Sequence, residues 1–155
     1  MPSNFTWNIR VYFEDTDAGG VVFYANYLKF FERARTEWLR AAGIGQQLMT
    51  ETHGVVFVVK STAVDYHAPA KLDNELKISV VVEKMGRASV QFIQQAWRVT
   101  KDERGETEEL LATGRIKVGC VDLASFKPTE IPKNVLDSIK IMGQLNEYRE
   151  IESLL

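Results

Sequence analysis

The chain has 155 residues, 45% of them hydrophobic and 26% charged, and its 19 basic and 21 acidic side chains leave a net charge of −2 with histidine neutral. At roughly 150 residues per domain this is the size of one soluble domain, and so even a balance excludes the basic surface that a nucleic-acid wrapper needs to neutralise phosphates. The single cysteine, Cys120, excludes an intrachain disulfide and a multi-cysteine zinc site.

The N-terminus, MPSNFTWNIRVYFED, lacks the charged and apolar regions of a secretory signal. The longest apolar run, Val55–Val59, is too short to span a bilayer. The expected setting is therefore the cytoplasm. In Trp7–Phe13 the residues Ile9, Val11 and Phe13 alternate with Asn8, Arg10 and Tyr12, the period of a strand. Glu14–Gly20 (EDTDAGG) is turn chemistry throughout. Tyr27, Phe30, Phe31, Ala34, Trp38 and Ala42 then recur at intervals of three and four, which predicts a helix with one broad apolar face. Arg33 and Glu37 sit one turn apart on its polar side and predict a surface ion pair. Gly43 suits a left-handed C-terminal cap.

The remainder reads mainly as strands: Val55–Tyr66, Glu75–Lys84, Ala88–Thr100 and Leu110–Val121. His67–Asn74 reads as a loop, Met85–Arg87 as a tight hairpin turn, Lys101–Glu109 as a charged turn and Pro132–Met142 as a short helix. Consecutive strands without βαβ alternation predict an α+β chain with an antiparallel sheet, its inner face crossed by the long helix.

The chemistry-bearing segment lies between the first strand and that helix. Asp and Gly are common there for structural reasons alone, because short acceptors satisfy free amides and Gly permits unusual φ. A carboxylate just ahead of a helix also faces free backbone N–H groups that can bind a developing oxyanion. That pair is enough to hydrolyse an activated acyl group such as a thioester, whose thiolate leaves without a strong general acid. No G-x-S-x-G elbow is present, and His53 and His67 are the only histidines, neither with a partner at metal-ligand spacing.

The gapless run Val11-Tyr12-Phe13-Glu14-Asp15-Thr16-Asp17-Ala18-Gly19-Gly20-Val21-Val22-Phe23-Tyr24-Ala25-Asn26-Tyr27, continued by Phe30-Phe31-Glu32-Arg33-Ala34-Arg35, resembles the signature of hotdog-fold acyl-CoA thioesterases. The resemblance is to the 4-hydroxybenzoyl-CoA thioesterase family, nearest the branch associated with the bacterial Tol–Pal cell-envelope system. It implies a single hotdog domain over 1–155, with a core at about 7–135 and a helical tail at about 132–155. In that fold an antiparallel sheet wraps one long helix, and two copies, or a dimer of dimers, share active sites at their interface. The resemblance further implies that Asp17 is the nucleophile or general base, with Asp15 supporting the turn, and that the Tyr24 backbone N–H polarises the thioester carbonyl. Val58, Val59, Lys60 and Ser61 would line the acyl groove, and Arg87 and Lys71 would meet coenzyme A phosphates. No metal or separate cofactor is implied, since coenzyme A is part of the substrate. One departure stands out: the Tol–Pal branch commonly has histidine where this chain has Tyr24, whereas hydroxybenzoyl-CoA enzymes carry tyrosine there. It bears on the acyl group accepted more than on the reaction.

The rival reading is a non-catalytic module that binds acyl-CoA or acyl carrier protein within envelope or lipid-synthesis machinery. A magnesium-dependent phosphohydrolase would also use D-x-D after a strand, but on a parallel βαβ fold that this strand order opposes. On their own residues, Arg87 and the two lysines are also ordinary surface charges, Val58 and Val59 ordinary core, and Phe23, Phe30 and Phe31 packing side chains. Cys120, within a predicted strand, is expected to be buried and inert.

Overall fold

The computed structural model describes residues 5–144. Strand β1 (Thr6–Arg10) is followed by a 3-10 turn (Phe13–Asp15), the long helix α1 (Asn26–Ala41) and a second helix, α2 (Gln46–His53). Five strands come next: β2 (Val55–Tyr66), β3 (Glu75–Ser79), β4 (Val81–Met85), β5 (Ser89–Asp102) and β6 (Gly105–Asp122), then helix α3 (Lys133–Gln144). The sheet order is β1-β3-β5-β6-β2, with β4 continuing β3 along the same edge of β5, and every pairing is antiparallel. The sheet curls around α1, the arrangement of a hotdog fold.

Helix α1 seats itself by its apolar face. Tyr27, Phe30, Phe31, Ala34, Trp38 and Leu39 are all buried, and each large side chain among them contributes about 1.5–3 kcal/mol by leaving water. Trp38 meets Phe92 of β5 edge-on at 5.5 Å. Phe31 lies against Gly114 of β6, where a Cβ would come within 2.9 Å of its ring. The helix ends in a Schellman motif: the Ile44 N–H donates to the Leu39 carbonyl and the Gly43 N–H to that of Arg40, with Gly43 at φ +80°.

Several expectations shift. The first strand stops at Arg10, and Phe13 turns outward in the 3-10 turn, 81% exposed. Helix α2 occupies a segment to which the sequence assigns no element, and His53 is its last residue, just ahead of β2. Glu75–Lys84 breaks at Val80 into β3 and β4, where β4 slips register against β5 between Val82 and Lys84. The charged stretch 101–109 is mostly strand. Lys101 pairs with Glu106, Asp102 with Gly105, and Arg98 ion-pairs with Glu109, so opposite charges meet across the ladder. On α1, Glu37 pairs with Arg40 in place of Arg33. Cys120 is buried. Helix α3 matches the predicted short helix and continues to Gln144; the tail beyond it lies outside the described residues.

Candidate active site

The turn between β1 and α1 is built by backbone hydrogen bonds. Thr16 and Val22 form an antiparallel bridge, and the Asp17 N–H donates to the Val21 carbonyl. The Gly20 N–H closes the turn onto the Asp17 carbonyl, with Gly20 at φ +78°, a conformation that favours glycine. The far side of this small hairpin is pinned by the Val22 N–H to the Ala70 carbonyl and by a bridge between Val21 and Lys71.

The two aspartates have different work. Asp15 is 6% exposed; its Oδ2 accepts the Tyr12 N–H at 2.9 Å and its Oδ1 accepts Asn26 Nδ2 at 3.1 Å. Both oxygens are therefore committed to joining the turn to the first residue of α1. Asp17 is exposed, and its Oδ1 accepts the Gly19 N–H at 2.8 Å. Its Oδ2 has no partner among the described residues, which leaves an oriented carboxylate with a free oxygen. A Cβ at position 19 would stand 3.2 Å from Asp17 Oδ1, so glycine there keeps space beside the carboxylate.

The start of α1 supplies the complementary group. The Phe23 N–H donates to the Asp15 carbonyl, and the Phe23 carbonyl accepts the Asn26 N–H. In a trans peptide the N–H opposes the preceding carbonyl, so the Tyr24 N–H points out of the helix's N-terminal end. It has no acceptor among the described residues. The Tyr24 carbonyl is held by the Tyr66 hydroxyl, which donates to it at 2.9 Å. Burial, with Tyr27 and Tyr24 nearby, pushes the Tyr66 phenol above its ordinary pKa and keeps that proton in place at neutral pH. Tyr66 also meets Tyr27 edge-on at 5.3 Å, and the Tyr27 hydroxyl accepts the Ala70 N–H at 3.1 Å. An open cleft lies beside these rings, lined by Val22, Tyr24, Tyr27, Tyr66, His67, Ala68 and Pro69.

The sequence-predicted residues fall into two groups. Asp17, Tyr24 and Lys71 share the end of the sheet where Tyr66 pairs with Ala112. Val58, Val59, Lys60, Ser61 and Arg87 share the other end. Val58 pairs with Gly119, Gly119 pairs with Ser89, and Arg87 sits in the turn leading to Ser89. Lys60 is the extra residue of a β-bulge, its side chain laid across Gly119. Along β6, Gly119 and Ala112 are separated by about 23 Å at roughly 3.3 Å per residue, so one chain does not bring the two groups together. Phe23 is half-exposed at the turn and stacks on Tyr24 at 4.8 Å. The sequence reading gave no role to Tyr66, whose partner is 42 residues away and which belongs to no motif, nor to Asn26, which lies in the Val11–Tyr27 run but acts through the Asp15 side chain 11 residues earlier.

The chain matches the model of the thioesterase-like superfamily over residues 11–139. It is 44% identical to the acyl-CoA thioesterase YbgC of Haemophilus influenzae, a match covering 87% of this chain and 93% of that protein. It is also 44% identical to the acyl-CoA thioester hydrolase YbgC of Escherichia coli, covering 88% and 96%. Among solved structures, a probable thioesterase from Bartonella henselae superposes with a TM-score of 0.73 at 30% identity, over 83% of this chain and 99% of that one.

Proposed function

This chain belongs to the thioesterase-like superfamily and is an acyl-CoA thioesterase, and from that premise we propose that hydrolysis runs at the Asp17 turn. The observation that carries the proposal is the free Asp17 Oδ2 in the same turn as the outward-pointing Tyr24 N–H. The amide hydrogen-bonds the thioester oxygen as negative charge grows on it. Asp17 either attacks the carbonyl carbon, expelling the coenzyme A thiolate and leaving an anhydride that water opens, or takes a proton from the water that attacks directly. Both routes end in free acid and coenzyme A, and neither calls for a further cofactor. Tyr66 is a positioning residue, holding the helix start through the Tyr24 carbonyl.

The acyl groove over Val58, Val59, Lys60 and Ser61 and the phosphate contacts of Arg87 complete this site from a second copy of the chain. The support is that, among the described residues, β2 is an edge strand, paired with β6 on one side only. An isologous dimer across that edge carries one chain's Val58–Ser61 towards its partner's Tyr24. Lys71, beside the turn, is the phosphate contact from the chain's own side. A cytoplasmic setting, acyl carrier protein or lipid-synthesis enzymes as partners, and a link to the Tol–Pal system extend the same reading. Among the described residues no helix is long and apolar enough to cross a membrane.

The test is thiol release from short, long and aromatic acyl-CoAs by wild type and Asp17→Asn. Turnover of at least one class, lost with Asp17→Asn, is expected. Equal turnover by both forms would sink the role of Asp17, and tight acyl-CoA binding without release would point to the non-catalytic module.

A further inference from the structure

A second cleft opens on the other half of α1. Arg35 lies roughly 14 Å along the helix from Asn26, at about 1.5 Å per residue, and this cleft shares no lining residue with the one beside Tyr24. Its walls are largely apolar: Leu39 from α1, Phe57 and Val59 from β2, Val90 and Phe92 from β5, Val118 from β6 and Ile139 from α3. Of Val58–Ser61, only Val59 lines it.

Among these walls stands Arg35, which is 9% exposed. Its Nη1 donates to the Gln94 amide oxygen at 2.9 Å, and Gln94 is itself fixed through its Nε2 to the Phe31 carbonyl. The guanidinium forms no ion pair with a carboxylate among the described residues. Glu32 also lines the cleft and acts on Arg35 from a distance, but its carboxylate accepts the Thr36 hydroxyl. Nε and Nη2, which form the fork edge that can grip a carboxylate by two parallel bonds, have no acceptor among the described residues and are not sealed from the cleft. Burial pushes the guanidinium pKa down to about 10, so the charge persists at neutral pH. A buried cation with one neutral acceptor is costly unless an anion completes it.

We propose that this cleft binds a medium-chain free carboxylic acid, its carboxylate on the Nε and Nη2 edge of Arg35 and its chain along Leu39, Phe57, Val90, Phe92 and Val118. A carboxylate with an apolar tail matches both the buried Arg35 cation and the apolar walls. The cleft adjoins the proposed acyl groove at Val59, and titrating Asp17→Asn alongside wild type separates binding at Arg35 from turnover.

The probes are octanoate and 1-octanol, titrated calorimetrically into the full chain and into Asp17→Asn, which removes any dependence on turnover. Saturable octanoate binding is expected in both, tighter than octanol. Arg35→Met should weaken octanoate at least tenfold while leaving octanol within about threefold. A purely structural Arg35 would lower the melting temperature without altering that preference. Gln46 is an exposed side chain at the cleft mouth, so Gln46→Trp should fold and also weaken octanoate tenfold; this variant decides the matter if Arg35→Met does not fold. Absence of saturable octanoate binding, equal affinity for octanol, or octanoate binding indifferent to both substitutions overturns the proposal.

Discussion

At the scale of single residues, two aspartates two positions apart separate into structure and chemistry by their partners. Both oxygens of Asp15 accept hydrogen bonds that join the turn to α1. Asp15→Ala leaves the Tyr12 N–H and the Asn26 amide without their acceptor and should cost about 1–3 kcal/mol, read as a fall in Tm of roughly 2–4 °C per kcal/mol. Asp17→Asn keeps an oxygen for the Gly19 N–H and should melt as wild type does, while kcat falls at least about a hundredfold, as loss of a general base or nucleophile demands. A variant of Asp17 that lost stability along with activity would move that residue into the structural class. The Tyr24 side chain is 66% exposed, and the group proposed to act there is the main-chain N–H. Tyr24→Phe should therefore hold kcat within about threefold; a fall of a hundredfold would assign the chemistry to the phenol and give the departure from histidine at this position a direct catalytic meaning.

At the scale of elements, the contact between α1 and the sheet depends on a missing side chain. A Cβ at Gly114 would lie 2.9 Å from Phe31 Cε2 and 3.1 Å from Ile116 Cδ1, and both neighbours are buried. Gly114→Ala should overpack this seam by about 1–3 kcal/mol, and the larger Gly114→Val by more; melting of the two variants checks the order. A Tm unchanged in both would mean that the helix shifts without cost. The same elements mark what sequence patterning reveals. Helix α1 was legible because its apolar stripe is long and regular, and the Asp17 turn because its residues are contiguous. Helix α2 was not: over eight residues it buries only Met49, too little to create a period. The 101–109 stretch looked like a turn because its composition is charged, yet it is mostly strand, with Lys101 facing Glu106 and Arg98 meeting Glu109 across the ladder. Composition is local, and that pairing is not. For the same reason the hold of Tyr66 on Tyr24, between residues 42 apart, left no trace in the sequence.

At the scale of the whole molecule, the distribution of the predicted site residues argues for more than one copy. Asp17 and Tyr24 stand at one end of the sheet and Val58–Ser61 at the other, about 23 Å apart along β6 by the rise of a strand. A two-fold axis across the open edge of β2 turns that separation into proximity between chains. Light scattering at micromolar concentration should then report a dimer or a dimer of dimers. A monomer would remove the shared site. Complementation is the sharper measurement. Asp17→Asn disables the chemistry, and Val59→Arg, at a position 52% exposed, places a charge in the acyl groove. Each variant alone should be inactive. If every site takes Asp17 from one chain and Val59 from its partner, a mixed dimer holds one site with both defects and one with neither. Mixing the variants by unfolding and refolding should therefore restore a substantial part of wild-type turnover. If each chain builds its own site, the mixed dimer carries one defect in each site and stays inactive, even with mixed dimers demonstrated by differential tags.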